Sequence, residues 1–153
     1  MTLEVSLEQV VNDLPDDLTA LRKEARHEGY AFIERLADEW DAATVRFEKP
    51  GEALLVARSS AVIAGIGGIT CDPFDPSALR MRRFYVRLGF RRHGVARILA
   101  EALISDATKT GRQLNVNAGT DVAPGFWESM GFSPVDSAHH THIWLPGNEI
   151  RIG

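Results

Sequence analysis

The sequence contains a single cysteine, Cys71, among 153 residues, which excludes a disulfide bond within the chain. It has no run that approaches the roughly 20 apolar residues of a transmembrane helix. The first residues, Met1–Glu4, lack the basic and apolar regions of a signal peptide, and no cluster of Cys and His has the spacing of a metal site. These absences favour a cytoplasmic protein that needs neither a metal nor a membrane.

Acidic residues are missing from the middle of the chain, between positions 76 and 100, where the segment Arg80–Arg97 holds seven of the 17 Lys and Arg. Thirteen of the 21 acidic residues lie instead in the first 52 positions. The basic segment is either a solvated surface or a site for an anion. A nucleic-acid-binding sheet would interleave more aromatic residues than Phe84 and Tyr85, and the net charge is -4. We therefore expect no nucleic-acid partner.

The composition, with 44% hydrophobic and 25% charged residues, is typical of a globular protein, and the length suits one domain over residues 1–153. Apolar spacing predicts helices over Leu18–His27, Tyr30–Ala43, Val95–Lys109 and Gly125–Met130. It predicts strands over Leu3–Leu7, Ala53–Arg58, Ala61–Ile69, Leu79–Val86, Leu114–Ala118, Phe132–Val135 and Thr141–Leu145. We expect an α/β (α+β) fold in which a mixed central sheet of about six or seven strands has helices on both faces.

The most informative segment is the loop Arg91–Ala96, which follows a predicted strand and opens the clearest predicted helix. The start of a helix has unpaired backbone N–H groups and a partial positive charge, and both attract anions such as a diphosphate. Gly94 allows the backbone to approach a ligand closely, and Arg91, Arg92 and Arg97 add positive charge. On its own, this pattern is more often a plain connection between a strand and a helix with solvated arginines.

This segment resembles the GCN5-related N-acetyltransferase (GNAT) family, which is marked by a Q/R-x-x-G-x-G/A loop at a helix start. Arg91, Gly94 and Ala96 match the three fixed positions, and Tyr85-Val86 matches the pair of residues that ends the preceding strand. Further along the chain, the stretch Ala123–Phe132 is similar to the family's A-x-x-F-Y-x-x-x-G-F motif. The resemblance is clear over positions 53 to 145 and weak before them.

The resemblance implies one N-acetyltransferase domain, with a cofactor-binding core over residues 53–145 and variable acceptor-side helices over residues 1–50. It implies that strands Leu79–Val86 and Leu114–Ala118 splay apart into a V-shaped slot for the pantetheine arm of acetyl-coenzyme A (acetyl-CoA), with no metal. The backbone N–H of Val86 would face the thioester oxygen as it becomes an oxyanion. The cofactor-binding residues implied by the resemblance are Tyr85, Val86, Arg91, Arg92, His93, Gly94, Val95, Ala96, Arg97, Thr120 and Phe126.

The reaction implied by the resemblance is direct attack of an amine on the thioester through a tetrahedral intermediate. Trp127 stands where the family usually has a tyrosine that protonates the departing thiolate, and an indole N–H has no usable proton to transfer. A buried core ring is the other interpretation of Trp127. The family's usual glutamate on the fourth strand is also missing, which leaves Asp72, Glu28 and His142 as candidate bases. His142 titrates in the right range, although a surface histidine would look the same in the sequence.

Two sequence features leave alternatives open. Thr120 replaces the family's usual asparagine and is either a contact to the cofactor arm or a helix cap. The acidic first helices would attract a cationic amine, from a small molecule or a peptide, and we expect Glu28, Tyr30 and Asp72 to contact it. Solvated helix faces would give the same charge pattern. A domain of this fold that binds an acyl-CoA without reaction is the other interpretation of the whole chain, and a homodimer is common for this resemblance.

Overall fold

The computed structural model describes residues 3–118 and 124–146, which form one seven-stranded sheet with helices on both sides. Its strands are β1 (Ser6–Gln9), β2 (Ala53–Ser59), β3 (Val62–Cys71), β4 (Leu79–Val86), β5 (Leu114–Val116), β6 (Ser133–Pro134) and β7 (His142–Trp144). Its helices are α1 (Thr19–His27), α2 (Phe32–Asp41), α3 (Val95–Thr108) and α4 (Pro124–Ser129). No helix in the described part of the chain is both long and apolar enough to cross a bilayer.

The predicted fold is confirmed, and most elements lie within two residues of their predicted ends. β4 begins and ends where the sequence predicts, and α3 ends one residue before the predicted Lys109. The first strand, expected over Leu3–Leu7, begins three residues later, at Ser6. Leu3, Val5 and Leu7 alternate with polar residues, which predicted the earlier start, but all four residues of β1 are exposed on an edge of the sheet, so this alternation does not correspond to a buried face there.

The sheet separates two hydrophobic cores. On the face that we call the back face, α3 and α4 pack against side chains such as Ala64 and Leu114. On the opposite front face, α1 and α2 pack against side chains such as Leu54 and Ile66. The side chains of a strand alternate between the two faces, so the apolar residues of the central strands divide between the two cores.

The sheet opens between β4 and β5, which pair in parallel over three residues only, from Leu79 with Leu114 to Met81 with Val116. β4 then continues to Val86 without a partner from β5, and the order of strands is β1-β2-β3-β4-β5-β7-β6. The V-shaped slot expected between the fourth and fifth strands is therefore present. Its open side exposes backbone groups of β4 that an additional strand-like ligand can pair with.

A β-bulge at Arg83 decides which way the end of β4 faces. Leu79 faces the back core, and simple alternation would send Tyr85 to the same side. The extra residue, whose φ is 65°, reverses the alternation, so that Phe84 packs in the back core and Tyr85 in the front core. On β3, a Cβ added to Gly67 would lie 2.7 Å from the ring of Phe84, so the ring fits only because this position is glycine.

Candidate functional site

A cavity of about 460 Å³ lies where β4 leaves the sheet and α3 begins. It falls in the range of about 300–1,000 Å³ that is usual for small-molecule sites. The walls come from the end of β4, the loop after it, the first turn of α3 and one ring of α4. The residues that line it are Tyr30, Tyr85, Val86, Phe90, Arg91, Arg92, Gly94, Val95, Ala96, Arg97 and Phe126.

Nearly all of the cofactor-binding residues named from the sequence therefore meet at one cavity. Two do not. His93 is exposed on the loop and is not part of the wall, and Thr120 lies outside the described residues. Phe90 lines the cavity although the sequence analysis did not name it. The available signal was its position directly before Arg91, at the start of the basic loop.

The start of α3 is arranged to receive an anion. Gly94 precedes the helix with φ 78° and ψ 15°, a left-handed conformation that glycine adopts without strain, and Arg92 has φ 67°. No side chain of a described residue caps the helix start. A Cβ added to Gly94 would meet no heavy atom within 4 Å, so the space in front of the first turn is open. The first backbone N–H groups of α3 are thus left for a ligand.

The backbone of Val86 faces the slot. The N–H of Arg87 donates to the carbonyl of Ala64 on β3 at 2.9 Å. Neighbouring residues of a strand direct their backbone groups to opposite sides, so Val86 directs its own groups away from β3. Its carbonyl accepts a hydrogen bond from Nε of Arg91 at 2.9 Å. The N–H of Val86 points to the same open side, where a ligand oxygen can accept from it.

Glu28 is tied into the wall of the cavity by two hydrogen-bond donors. The hydroxyl of Tyr85 donates to Glu28, and Nη1 of Arg91 donates to Oε2 of Glu28 at 3.1 Å. The guanidinium of Arg91 lies 5.4 Å from the centre of the Tyr85 ring. Arg91 and then Tyr85 hold the pKa of Glu28 below its usual value, while burial first and Glu28 second raise the pKa of Tyr85. The carboxylate of Glu28 is therefore already hydrogen-bonded to Tyr85 and Arg91. It is poorly suited to take a proton from an amine or to bind a free cation.

Trp127 is part of the back core and does not line the cavity. Its side chain is 1% exposed and packs edge-on against Phe84, Phe126 and Phe132, with ring centres 5.0 to 5.3 Å apart. Its Nε1 has no hydrogen-bond partner among the described residues. The neighbouring Phe126 is the ring of α4 that reaches the cavity wall. The geometry thus favours the interpretation of Trp127 as a buried core ring.

His142 does not reach the cavity either, and its candidacy as the general base has no support in the geometry. It lies two residues before Trp144 on β7, so both side chains point to the back face. It is 4% exposed, with Nδ1 at 2.8 Å from Oγ1 of Thr141 and Nε2 at 2.9 Å from a carboxylate oxygen of Glu128. The sequence also suggested a surface histidine, and this is wrong as well because the ring is buried.

Asp72 has a structural position that explains its polarity. It is 3% exposed, and its carboxylate accepts hydrogen bonds from Nδ2 of Asn115 at 2.7 Å and from the N–H of Phe74 at 2.8 Å. These bonds fasten the proline-rich loop after β3 to β5. Asp72 does not line the cavity, so its expected contact with a substrate there, and a role as base, are not supported.

Acidic residues of α1 and α2, which were expected to attract a cationic acceptor, form ion pairs with arginines where these helices meet the sheet. Glu39 of α2 pairs with Arg83 at 2.8 Å, and Glu24 of α1 pairs with Arg87 at 2.9 Å. The same arrangement repeats at the end of α1, where Glu28 pairs with Arg91. Each of these carboxylates from the first two helices therefore meets an arginine of β4 or of the segment after it. These three acids therefore give no support to the hypothesis of an acidic lip for a cationic amine.

Comparisons with known proteins agree with this geometry. The model of a family described as acetyltransferase (GNAT) domain matches residues 18–144. A search of curated proteins found no significant match.

No group of three or more His, Cys, Asp or Glu among residues 3–118 and 124–146 could hold a metal ion.

Solved structures share the fold. A protein of Exiguobacterium sp. 255-15, provisionally assigned as an acetyltransferase, is 27% identical, with 94% of each chain covered and a TM-score of 0.84. The GNAT-family N-acetyltransferase YhbS of Escherichia coli, solved in complex with CoA, is 15% identical over 96% of this chain and 84% of that chain, with a TM-score of 0.67. A GNAT-family acetyltransferase of Elizabethkingia anophelis with acetyl-CoA bound is 16% identical over 86% and 78% of the two chains, with a TM-score of 0.59.

Proposed function

The chain belongs to the acetyltransferase (GNAT) domain family, and we propose that it binds acetyl-CoA in the cavity at the end of β4 and transfers the acetyl group to an amine. The observation that carries the proposal is that the open strand end at Val86 and the uncapped start of α3 meet at one cavity. Two structures with the same fold hold CoA and acetyl-CoA, which supports the same ligand here.

The residues of the cavity divide into two parts that suit the two ends of this ligand. The loop at Arg92 and Gly94 and the first turn of α3 offer backbone N–H groups and positive charge to the diphosphate. Apolar side chains, Val95 and Phe126, flank the path of the pantetheine arm toward the slot. The N–H of Val86 donates to the thioester oxygen, and this donor is fixed by the strand before negative charge develops on that oxygen.

When bound, the thioester supplies an acetyl group that is activated for transfer. The amine nitrogen forms a bond to the acetyl carbon, the bond from that carbon to sulfur breaks, and the amine gives up a proton. The described wall of the cavity contains no His, Asp or Glu, so we propose that water takes the amine proton. This route is slow for a strongly basic amine, because an amine with a pKa of about 10.4 is mostly protonated at neutral pH.

Tyr30 is the residue that we assign to protonate the departing sulfur. Its ring lines the cavity with 36% exposure, 6.1 Å from the ring of Tyr85. The hydroxyl of Tyr85 already donates to Glu28, whereas the hydroxyl of Tyr30 makes no hydrogen bond to another described residue. Gly29, with φ 89°, turns the chain between α1 and α2 and so brings Tyr30 over the cavity. Tyr30 thereby replaces the tyrosine that Trp127 does not supply.

Replacing Tyr30 with phenylalanine should lower kcat about tenfold. The effect is smaller than the roughly 10²–10⁴ of many general acids because a thiol with a pKa of about 8.5 is a tolerable leaving group. Steady-state kinetics with acetyl-CoA and the best amine measure the change. The thermal shift produced by acetyl-CoA should stay as in the wild type, and an unchanged kcat in the Phe variant would contradict the assignment.

The proposed function is tested by following the release of free thiol from acetyl-CoA in the presence of a panel of amines. We expect acetyl-CoA to stabilise the purified protein against heat and at least one class of amine to release thiol catalytically. Stabilisation without thiol release from any amine would favour a domain that binds an acyl-CoA without reaction. Absence of stabilisation would reject the cavity as the acetyl-CoA site.

A further inference from the structure

Arg80 lies on the front face of β4 with no partner for its charge. Its neighbour Leu79 packs in the back core, and its register partners are Thr70 on β3 and Asn115 on β5. The Nε–H of Arg80 is shielded from solvent, and it donates to no acceptor among the described residues. The side chain also forms no ion pair within this part of the chain. A buried guanidinium N–H without an acceptor is costly, so a bound acceptor would stabilise this arrangement.

No carboxylate among residues 3–118 and 124–146 forms an ion pair with Arg80. The arginines that follow it along the segment, Arg83, Arg87 and Arg91, each pair with a glutamate of α1 or α2. The next acid in the adjoining loop, Asp72, already accepts hydrogen bonds from Asn115 and from the backbone of Phe74. The sequence contains no acidic residue between positions 76 and 100. Within the part of the chain that the structure describes, the positive charge of Arg80 therefore has no ion-pair partner.

Arg80 is also close to the point where the slot begins. It pairs with Asn115, and the next pair, Met81 with Val116, is the last before β4 and β5 separate. Arg82, two residues further along β4, pairs with Gly68 and shares the front face, which adds a second positive charge. The diphosphate end of the cavity lies at the other end of β4, beyond Val86. A molecule that approaches the slot from the front face therefore meets Arg80 and Arg82 at its narrow end.

We propose that the acceptor is an amine that carries a carboxylate, and that Arg80 binds this carboxylate while the amine reaches the acetyl group. The proposal rests on the proposed acetyltransferase function. A guanidinium suits this role because its planar fork of N–H groups matches the two oxygens of a carboxylate. Asn115 and Thr70, which lie beside Arg80 on the neighbouring strands, are uncharged and so do not neutralise the guanidinium. The acceptor class is thus amino acids or related amino carboxylates, and a purely cationic amine is disfavoured by the same charges.

The test compares amines that differ only in whether the carboxylate is free or converted to a carboxamide. Glycine, β-alanine, γ-aminobutyrate and phenylalanine are each paired with their amides, and putrescine represents cationic amines. Wild-type protein should release thiol with at least one amino carboxylate more efficiently than with its amide. For the α-amino acids this comparison is demanding, because the carboxamide lowers the pKa of the neighbouring amine. A larger fraction of the amide is then neutral and reactive, so a preference for the acid must come from its carboxylate.

Arg80→Gln should then raise KM for the preferred amino carboxylate about 10–100-fold, the usual effect of losing a hydrogen bond to a charged group. Its KM for acetyl-CoA and its activity with the matched amide should change little. Arg80→Lys should restore part of the preference, since it keeps the charge without the fork. Arg35→Gln is the matched control, because it removes the same charge from an exposed position of α2 and should behave as wild type.

Several results would overturn the inference. Equal efficiency with the acids and their amides would do so, as would a preference that Arg80→Gln leaves intact in a protein with normal thermal stability. Thiol release with putrescine but with no amino carboxylate would reject Arg80 as the acceptor anchor and leave the acetyltransferase function standing. Thiol release with no amine at all would reject both the inference and the proposed function.

Discussion

Replacing Gly94 with glutamate should abolish the stabilisation that acetyl-CoA gives to the protein. At a ligand concentration 100 times Kd, binding stabilises a fold by about 2.7 kcal/mol, which corresponds to about 5–10 °C in Tm for a domain of this size. Glutamate would place a negative charge at the uncapped start of α3, where we propose that the diphosphate binds. Its side chain would also enter the open space in front of Gly94. We expect no thermal shift in this variant at concentrations that saturate the wild type.

Two matched variants separate the causes of that loss. Gly94 has φ 78°, so any other residue there adds left-handed strain of about 1–2 kcal/mol. Gly94→Ala carries this strain with no charge and, because nothing lies within 4 Å of the added Cβ, with no clash. Gly94→Gln adds the bulk of glutamate without its charge. The thermal shift should decrease in the order Gly, Ala, Gln, Glu. An undiminished shift in the glutamate variant would show that the anion site lies away from this turn.

Trp127→Ala should lower the free energy of unfolding by about 3–5 kcal/mol, the usual cost of removing a large buried ring. Trp127 is 1% exposed and contacts three aromatic rings, so the neighbours cannot easily close the space. A loss of this size lowers Tm by about 6–20 °C. Chemical denaturation of the wild type and the variant measures the effect, and a loss below about 1 kcal/mol would contradict the core position.

The Phe variant at the same position tests the chemistry instead. Phenylalanine keeps most of the ring packing and removes the indole N–H, which has no partner among the described residues and is costly to bury. Trp127→Phe should therefore cost about 1 kcal/mol and leave kcat within about threefold of the wild type, because the indole transfers no proton. A collapse of kcat in a well-folded Phe variant would show that the indole N–H acts in the reaction. Trp127→Tyr should likewise keep its activity unless the added hydroxyl disturbs the core.

The sequence was sufficient for the features that depend on neighbouring residues. The helix α3 and the loop before it were predicted within one residue because the helical spacing of apolar residues, the glycine and the arginines all lie within about one turn of each other. The resemblance of this strand, loop and helix to the GNAT motif implied the cavity wall from Tyr85 to Arg97. Most of the proposed cofactor site could therefore be named before the fold was known.

The bulge at Arg83 illustrates the limit of local patterns. Simple alternation from Leu79 places Tyr85 on the back face, and nothing in the strand sequence alone fixes the extra residue. The bulge depends on how β4 pairs with β3, including the glycine that receives the ring of Phe84. The direction of every side chain beyond the bulge was thus decided by the pairing of strands.

The acceptor side was decided entirely by the tertiary structure. The sequence showed many acids in its first third, but it could not show that Glu39 meets Arg83, 44 positions later, or that Glu24 meets Arg87, 63 positions later. It offered His142 and Asp72 as bases, yet strand alternation turned the first into the back core and Asn115 occupied the second. Charges interact according to their distance in space. Only the packing of α1 and α2 on the sheet therefore determined which arginines meet a glutamate and which, such as Arg80, have no ion-pair partner among the described residues.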